Sequence, residues 1–222
     1  MSLASVKQFF SRHAPDIDVI ELEQSTATVA LAAEGHGVEP AQIAKTLALR
    51  VGDEIILIVT RGDARLDNKK YKARFGTKAR MLGFDEVEAE TGHPVGGVCP
   101  FGLAKPHSVY CDESLKSFDI VVPAAGATNA AVHISPERMA ELTGAKWIDV
   151  SADKVIAYTF ADPVMKGDKM KATGAVFRSK GDWYKLAFRC KTDSEHLEVL
   201  SFEYKIGERV PRENWDQLYL YP

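Results

Sequence analysis

The sequence predicts an α+β fold: a mixed, mostly antiparallel sheet with surrounding helices, followed by a small β-rich C-terminal extension. Three observations lead there. Helical and strand patterns interleave without the regular βαβ rhythm of a doubly wound sheet. Lys45–Val51 and Glu54–Thr60 are apolar runs joined at Gly52-Asp53, a hairpin signal. From about Asp153 the texture changes to that of short alternating strands. The expected domains are therefore 1–152 and 153–222.

The elements follow in order. Ser2–His13 reads as an amphipathic helix with Val6, Phe9 and Phe10 on its apolar side. Ile17–Leu22 alternates and predicts a strand. Ser25 is placed to cap a helix Thr26–Glu34, which Gly35 and Gly37 end. Pro40 opens a single turn through Ala44. Beyond the hairpin, a helix runs from about Asp67 to Phe75 and stops at Gly76; another, Asp85–Thr91, is capped by Asp85 and closed by Gly92. Strands are expected at His107–Cys111, Asp119–Pro123 and Asn129–Ile134. A Ser135-capped helix with Pro136 at its first position then runs to Leu142 and ends at Gly144. In the extension, Ala175–Arg178 crosses a turn at Ser179–Asp182 into a half-buried strand. There Tyr184, Leu186, Phe188 and Cys190 alternate with Lys185, Ala187 and Arg189. Leu197–Tyr204 is a further strand, and Trp215 with Leu218–Tyr221 closes the chain.

Composition narrows the class. The 222 residues are 45% apolar and 27% charged, an ordinary globular balance. No apolar run approaches the roughly 20 residues of a membrane span. Met1–Phe10 lacks a basic segment followed by an apolar one, so a cytoplasmic protein is expected rather than a secreted or membrane-bound one. Cys99, Cys111 and Cys190 are an odd number with no close pair, which argues against a disulfide framework and a zinc site. No phosphate-binding P-loop, dinucleotide fingerprint or HExxH motif is present. The net charge is −3, yet residues 61–80 carry Arg61, Arg65, Lys69, Lys70, Lys72, Arg74, Lys78 and Arg80 against only Asp63 and Asp67. A basic stretch in an acidic protein is what a phosphate backbone selects; its plainer reading is a solvated helix face.

Between Gly92 and Gly102 lie four glycines and two prolines in eleven residues. Glycine reaches backbone shapes closed to other residues and proline fixes φ, so the stretch predicts a rigid loop whose bare backbone approaches a ligand. Upstream, Ile43-Ala44-Lys45-Thr46-Leu47 sets a lysine between a turn and an apolar strand. Lys45 is a compact cation suited to a phosphate or a carbonyl oxygen. Exposed N–H groups of Gly96 and Gly97 suit an oxyanion.

Together with Gly62-Asp63-Ala64-Arg65-Leu66-Asp67, Thr91-Gly92, Asp112-Glu113-Ser114-Leu115 and Ala125-Gly126, these pieces resemble the YbaK family of aminoacyl-tRNA deacylases. The same domain is inserted in some bacterial prolyl-tRNA synthetases. The resemblance runs from about Ser25 to Asp149. It implies trans-editing: hydrolysis of the ester of a mischarged tRNA carrying a small amino acid, tRNA-Pro being a candidate, without metal or organic cofactor. It makes the aminoacylated 3′ end of tRNA the partner, with an aminoacyl-tRNA synthetase as a further one. Lys45, Gly96 and Gly97 would be catalytic. Val98, Cys99, Pro100, Phe101, Gly102, Asp112, Gly126 and His133 would bind substrate. Arg61, Arg65, Lys69, Lys70 and Lys72 would meet the tRNA. In cysteine-specific members the substrate's own thiol is thought to attack the ester. Cys99, six residues from His93, is tempting as a nucleophile, but the resemblance gives it no such role. The rival class is a non-catalytic module that binds aminoacyl-tRNA or a nucleotide and regulates a synthetase. No family is legible in 153–222.

Overall fold

The computed structural model describes residues 2–151, 155–179, 182–193, 195 and 198–220. The chain divides into two compact units, Met1–Ala152 and Asp153–Pro222.

The first unit is built from α1 (Ser2–His13), β1 (Ile20–Glu21), α2 (Val29–His36), β2 (Ile43–Val51), β3 (Glu54–Arg61), α3 (Asn68–Phe75), α4 (Phe84–Thr91), β4 (Ser108–Asp112), β5 (Val122–Pro123), β6 (Ala130–Ala131), α5 (Pro136–Thr143) and β7 (Lys146–Ile148). Its five-stranded sheet has the order β5-β2-β3-β4-β7. Only the β2–β3 hairpin is antiparallel; β2–β5, β3–β4 and β4–β7 are parallel. The sheet is thus mixed, with its antiparallel character confined to the hairpin. β3 sits at the centre, and its run from Ile56 to Arg61 is buried throughout, the pattern of a strand covered on both faces. On one face Ala44, Ala48, Leu57 and Val59 join Val6, Phe10 and Met139 in the larger core. On the other Leu49, Ile56 and Ile58 pack with Tyr71 of α3, Ile148 and Val150.

Local chemistry explains where elements begin. The expected helix 26–34 starts instead at Val29, because Thr28 rather than Ser25 caps it: Thr28 Oγ1 accepts from Leu31 N at 3.3 Å. Gly35 lies inside this helix, close to the Leu22 side chain, and Gly37, with φ +64°, ends it. α4 starts one residue before Asp85, with Gly83 at its N-cap and the Glu86 side chain accepting from Gly83 N. Asp67 caps α3 and Ser135 caps α5. Three expected strands shrink: 17–22 to β1, 119–123 to β5 and 129–134 to β6. Beyond them, isolated bridges pair Val121 with Ile134 and Ala124 with Ala131.

The second unit is a five-stranded antiparallel sheet. Its strands are β8 (Val155–Ala161), β9 (Val164–Lys166), β10 (Lys169–Ser179), β11 (Asp182–Thr192) and β12 (Val199–Arg209), ordered β12-β11-β10-β8 with β9 beside β10. The sequence pattern does not announce β8 and β9. β10 begins six residues before the expected strand, at Lys169. Lys180, Gly181, His196, Leu197 and Tyr221 lie outside the described residues, and with them parts of the expected turn, the third strand and the chain end. Trp183, Trp215, Val176 and Val210 form a small core, and Trp215 Nε1 donates to the Val210 carbonyl at 3.0 Å.

Candidate active site

A cavity of about 420 Å³ opens in the first unit beside β2. Lys45, Thr46 and Leu47 line it from the strand, Ala27 from the segment before α2 and Val29 from its first residue, and Gly96 and Val98 from the glycine loop. Lys45 is half-buried, and its Nζ donates to the carbonyls of Gly62, at 2.8 Å, and Ala64. An ammonium has three N–H donors, so two hold it in place and one remains. Burial pulls the Lys45 ammonium below the ordinary lysine range; Asp63's carboxylate opposes that shift and the charge of Arg65 adds to it. Gly62 is held to glycine by packing: a Cβ there would stand 2.3 Å from the Pro40 carbonyl oxygen.

The cavity opens at a break in strand pairing. β5 covers β2 only at Ile43 and Ala44. Farther along, Leu82 N donates to Ala48 O and Arg50 N to Arg80 O. Between these, the outer edge of β2 is uncovered. Alternate residues of a strand point their backbone groups to the same side, so Thr46, in phase with Ala48 and Arg50, aims its N–H and C=O into the gap. Thr46 Oγ1 is also buried with no hydrogen-bond partner among the described residues. Such a group costs stability unless a ligand or water completes it. The sequence alone gives Thr46 no role; an edge visible only once β5 ends at Pro123 carries this signal.

The glycine loop divides into two parts. Gly96, with φ +88°, and Val98 face the cavity. Gly97 backs them: its N–H donates to Pro94 O, its carbonyl accepts from Gly126 N, and a Cβ would lie 2.7–2.9 Å from the Ala127 backbone. Gly97 therefore positions the loop, its own N–H already engaged. The second half turns inward. Cys99, Pro100 and Phe101 are buried, Phe101 packs at tilted angles against Phe9 and Phe10, and Gly102 sits against the backbone of Ser5. His93, fully buried, locks this half to α1. Since the Phe101 carbonyl can only accept, His93 Nε2 donates to it at 2.8 Å and Nδ1 accepts from Ser2 Oγ at 2.6 Å. Burial lowers the His93 pKa, which keeps the ring neutral.

Cys99 Sγ lies 3.5 Å from His93 Nε2, yet burial pushes its thiol up to about 12. A thiol that stays protonated is a packing group. Cys99→Ser is expected to leave turnover within about twofold of wild type, with some loss of melting temperature. A folded but inactive Cys99→Ser protein would instead indicate covalent chemistry.

The remaining candidates lie outside the cavity lining. Asp112 is buried; its carboxylate accepts from Ser114 N at 3.0 Å and from Val150 N and Ser151 N at 2.8 and 3.0 Å, joining β4 to the segment after β7. Gly126, with φ +80°, packs on Ser2 and Val6 of α1. His133 is exposed, with its ring 5.5 Å from that of His36. Of the basic stretch, Arg61 is 3% exposed, is bidentate to Asp63 at 3.2 Å and lies over Phe118. Lys70 bonds to Asp149 and the Ser151 carbonyl. Arg65, Lys69 and Lys72 are exposed.

Comparison with known proteins places this geometry. Residues 23–142 match the aminoacyl-tRNA editing domain, and residues 132–220 match a domain of unknown function, DUF930. The uncharacterized protein YwhH of Bacillus subtilis is 51% identical over 155 residues, 69% of this chain and 99% of that protein. EbsC of Enterococcus faecalis, a candidate Cys-tRNA(Pro)/Cys-tRNA(Cys) deacylase, is 31% identical over 122 residues, 54% of this chain and 74% of that one. A crystal structure of a candidate trans-editing enzyme for prolyl-tRNA synthetase superposes with a TM-score of 0.64 at 32% identity, covering 68% of this chain and 97% of that one. Among the described residues, no helix is long and apolar enough to cross a membrane.

Proposed function

Because this chain belongs to the aminoacyl-tRNA editing domain family, we propose that it is a trans-editing deacylase that hydrolyses the ester between a small amino acid and tRNA, with the aminoacylated 3′ end in the cavity beside β2. The observation that carries the reading is Lys45: a cation fixed by two carbonyls at the wall of an otherwise uncharged cavity, one donor unspent. tRNA-Pro is the first tRNA to examine, and prolyl-tRNA synthetase the synthetase whose errors it would correct.

The chemistry follows from what the cavity contains. Among the described residues its lining includes no Asp, Glu, His or Cys. The chain therefore acts by position and charge. Lys45 holds the ester carbonyl oxygen and stabilises the negative charge that builds as water, or a nucleophile on the substrate itself, adds to the carbonyl carbon. Thr46 N–H and the backbone at Gly96 and Val98 fix the amino acid beside it. The tetrahedral state then collapses with loss of the ribose oxygen, which takes up the proton given up by the attacking group through solvent. Attack by water gives free amino acid and tRNA directly, whereas attack by the substrate's own nucleophile gives tRNA and a cyclised amino acid that water then opens. An aminoacyl ester is already activated, so orientation supplies much of the acceleration. Asp112, Gly126, His93 and Phe101 act indirectly, by holding the walls. Arg65, Lys69 and Lys72 are the members of the basic stretch we assign to tRNA contact.

The Lys45 shift gives a pH prediction. Only the ammonium stabilises an oxyanion, so activity falls as pH rises through the Lys45 pKa, below the usual value near 10.4. Arg65→Gln removes a repulsion and should move this alkaline limb to higher pH; Asp63→Asn removes an attraction and should move it lower. A pH–rate profile on aminoacyl-adenosine, corrected for spontaneous hydrolysis, reads both. A limb that neither change moves would show that the ammonium is not the required form. The activity itself is tested with a panel of mischarged tRNAs, following amino acid release. Accelerated release of a small amino acid is expected. Binding without release from any of them would favour the non-catalytic module.

A further inference from the structure

The sheet of the second unit has two unlike faces. Met170, Ala172, Leu186, Phe188 and Cys190 make one apolar cluster. The alternate residues of the same strands project to the other side, where Lys166, Lys169, Lys171, Arg189 and Lys191 line a groove of about 610 Å³ with one carboxylate, Glu203; Val164, Ser201, Met170 and Cys190 complete its lining. All five cations are exposed. Their arrangement is unfavourable in itself. Lys169 stands directly opposite Lys191 across β10–β11 and opposite Lys166 across β10–β9, and Lys171 stands directly opposite Arg189. Like charges directly opposite in an antiparallel pair destabilise it. Relief is partial: Arg189 stands opposite Glu203 across β11–β12 and Lys191 lies 3.6 Å from Asp168, but among the described residues Lys166, Lys169, Lys171 and Arg189 are in no ion pair.

We propose that this face is an RNA-binding surface that holds the phosphate backbone of the tRNA substrate. The assignment rests on the deacylase reading for the identity of the RNA. Cations two residues apart on one strand, Lys169 with Lys171 and Arg189 with Lys191, are about 6–7 Å apart along it, comparable to the step between successive phosphates of a nucleic-acid strand. Two such rows on adjacent strands form a positive track, and an anionic backbone lying on it turns the mutual repulsion of the cations into attraction. Beside it, the Lys185 ammonium lies 5.5 Å from the ring centre of the exposed Phe160, an aromatic–cation pair of a kind suited to an unstacked base.

The test is the full chain carrying Lys169→Gln, Lys171→Gln, Arg189→Gln and Lys191→Gln together, titrated with deacylated tRNA over a series of salt concentrations. Affinity should fall at least tenfold at low salt. The slope of log affinity against log salt should flatten by roughly 0.7–0.9 for each phosphate that the variant no longer neutralises. Melting temperature at low salt should hold or rise, because like charges have been separated; a structural role for these side chains would lower it. If the fourfold variant does not fold, Lys171→Gln and Arg189→Gln singly should each flatten the slope by about one phosphate's worth. Hydrolysis of aminoacyl-adenosine, which has no phosphate backbone to reach the face, reports the cavity separately. Unchanged tRNA affinity and slope overturn the proposal, as does loss of poly-glutamate binding alone, which would point to an acidic protein. An active deacylase with unchanged tRNA binding refutes this surface and leaves the activity standing. Loss of tRNA binding in a protein that deacylates nothing refutes the activity and leaves the surface.

Discussion

Lys45→Ala is expected to reduce deacylation by about 10²–10³, roughly 2.7–4 kcal/mol of transition-state stabilisation, the usual effect of deleting an oxyanion donor. The fold should survive. The side chain is half-buried, and its removal leaves the Gly62 and Ala64 carbonyls beside a cavity that water can enter. Its neighbours Ala44, Ala48 and Leu49 keep their packing in the two cores. Lys45→Arg should restore only part of the rate, because the wider guanidinium fork does not fit two carbonyls placed for a point charge. Single-turnover deacylation beside thermal melting separates chemistry from stability. A Lys45→Ala rate within about threefold of wild type, some 0.6 kcal/mol in barrier, would remove Lys45 from the mechanism.

The second large effect is expected at Gly97. A Cβ there would stand 2.7–2.9 Å from three backbone atoms of Ala127. Backbone cannot swing aside as a side chain can, and the bond from Gly126 N to Gly97 O ties the two segments together. Gly97→Ala should therefore cost about 1–3 kcal/mol of stability and push Gly96 and Val98 out of register with Lys45. Turnover should fall by more than tenfold even well below the melting temperature. Gly52→Ala is the control. Gly52 has positive φ, but a Cβ there meets nothing within 4 Å, so this variant should lose only about 1–2 kcal/mol to backbone strain and keep its activity. Equal activity in the two variants would mean that the loop's position does not matter to the reaction.

Where side-chain pattern and capping decide an element, the sequence was readable: α1 from its apolar stripe, α3 from Asp67 and Gly76, α5 from Ser135, Pro136 and Gly144, and the hairpin from Gly52-Asp53. Lys45 is conspicuous because a cation sits between a turn and an apolar strand, flanked by Ile43, Leu47 and Leu49. What failed to show were features set by distant contacts. A glycine-rich loop signals close approach without saying to what: Gly96 approaches the cavity, whereas Gly102 and Gly126 approach α1. Buried Cys99 and Phe101 look the same in sequence as residues lining a pocket. Arg61 counts as one more positive charge until the fold buries it against Asp63. Thr46 is inconspicuous in sequence, since its open backbone depends on where another strand ends. In the extension, Val155–Ala161 is apolar at nearly every position and Val164–Lys166 is only three residues long, so neither β8 nor β9 shows the apolar–polar alternation of a half-buried strand.

If the protein edits aminoacyl-tRNA as proposed, the aminoacyl end occupies the cavity beside β2. Backbone amide shifts of the isotope-labelled protein, titrated with a non-hydrolysable 3′-alanylamido-adenosine, test it directly. Saturable shifts are expected at Thr46, Gly96 and Val98 and at Ala27, with the Lys45 side-chain nitrogen moving in step, while His133 and Gly102 stay still. Saturation that shifts His133 or the residues around Asp112 and leaves Thr46, Gly96 and Lys45 unmoved would contradict it.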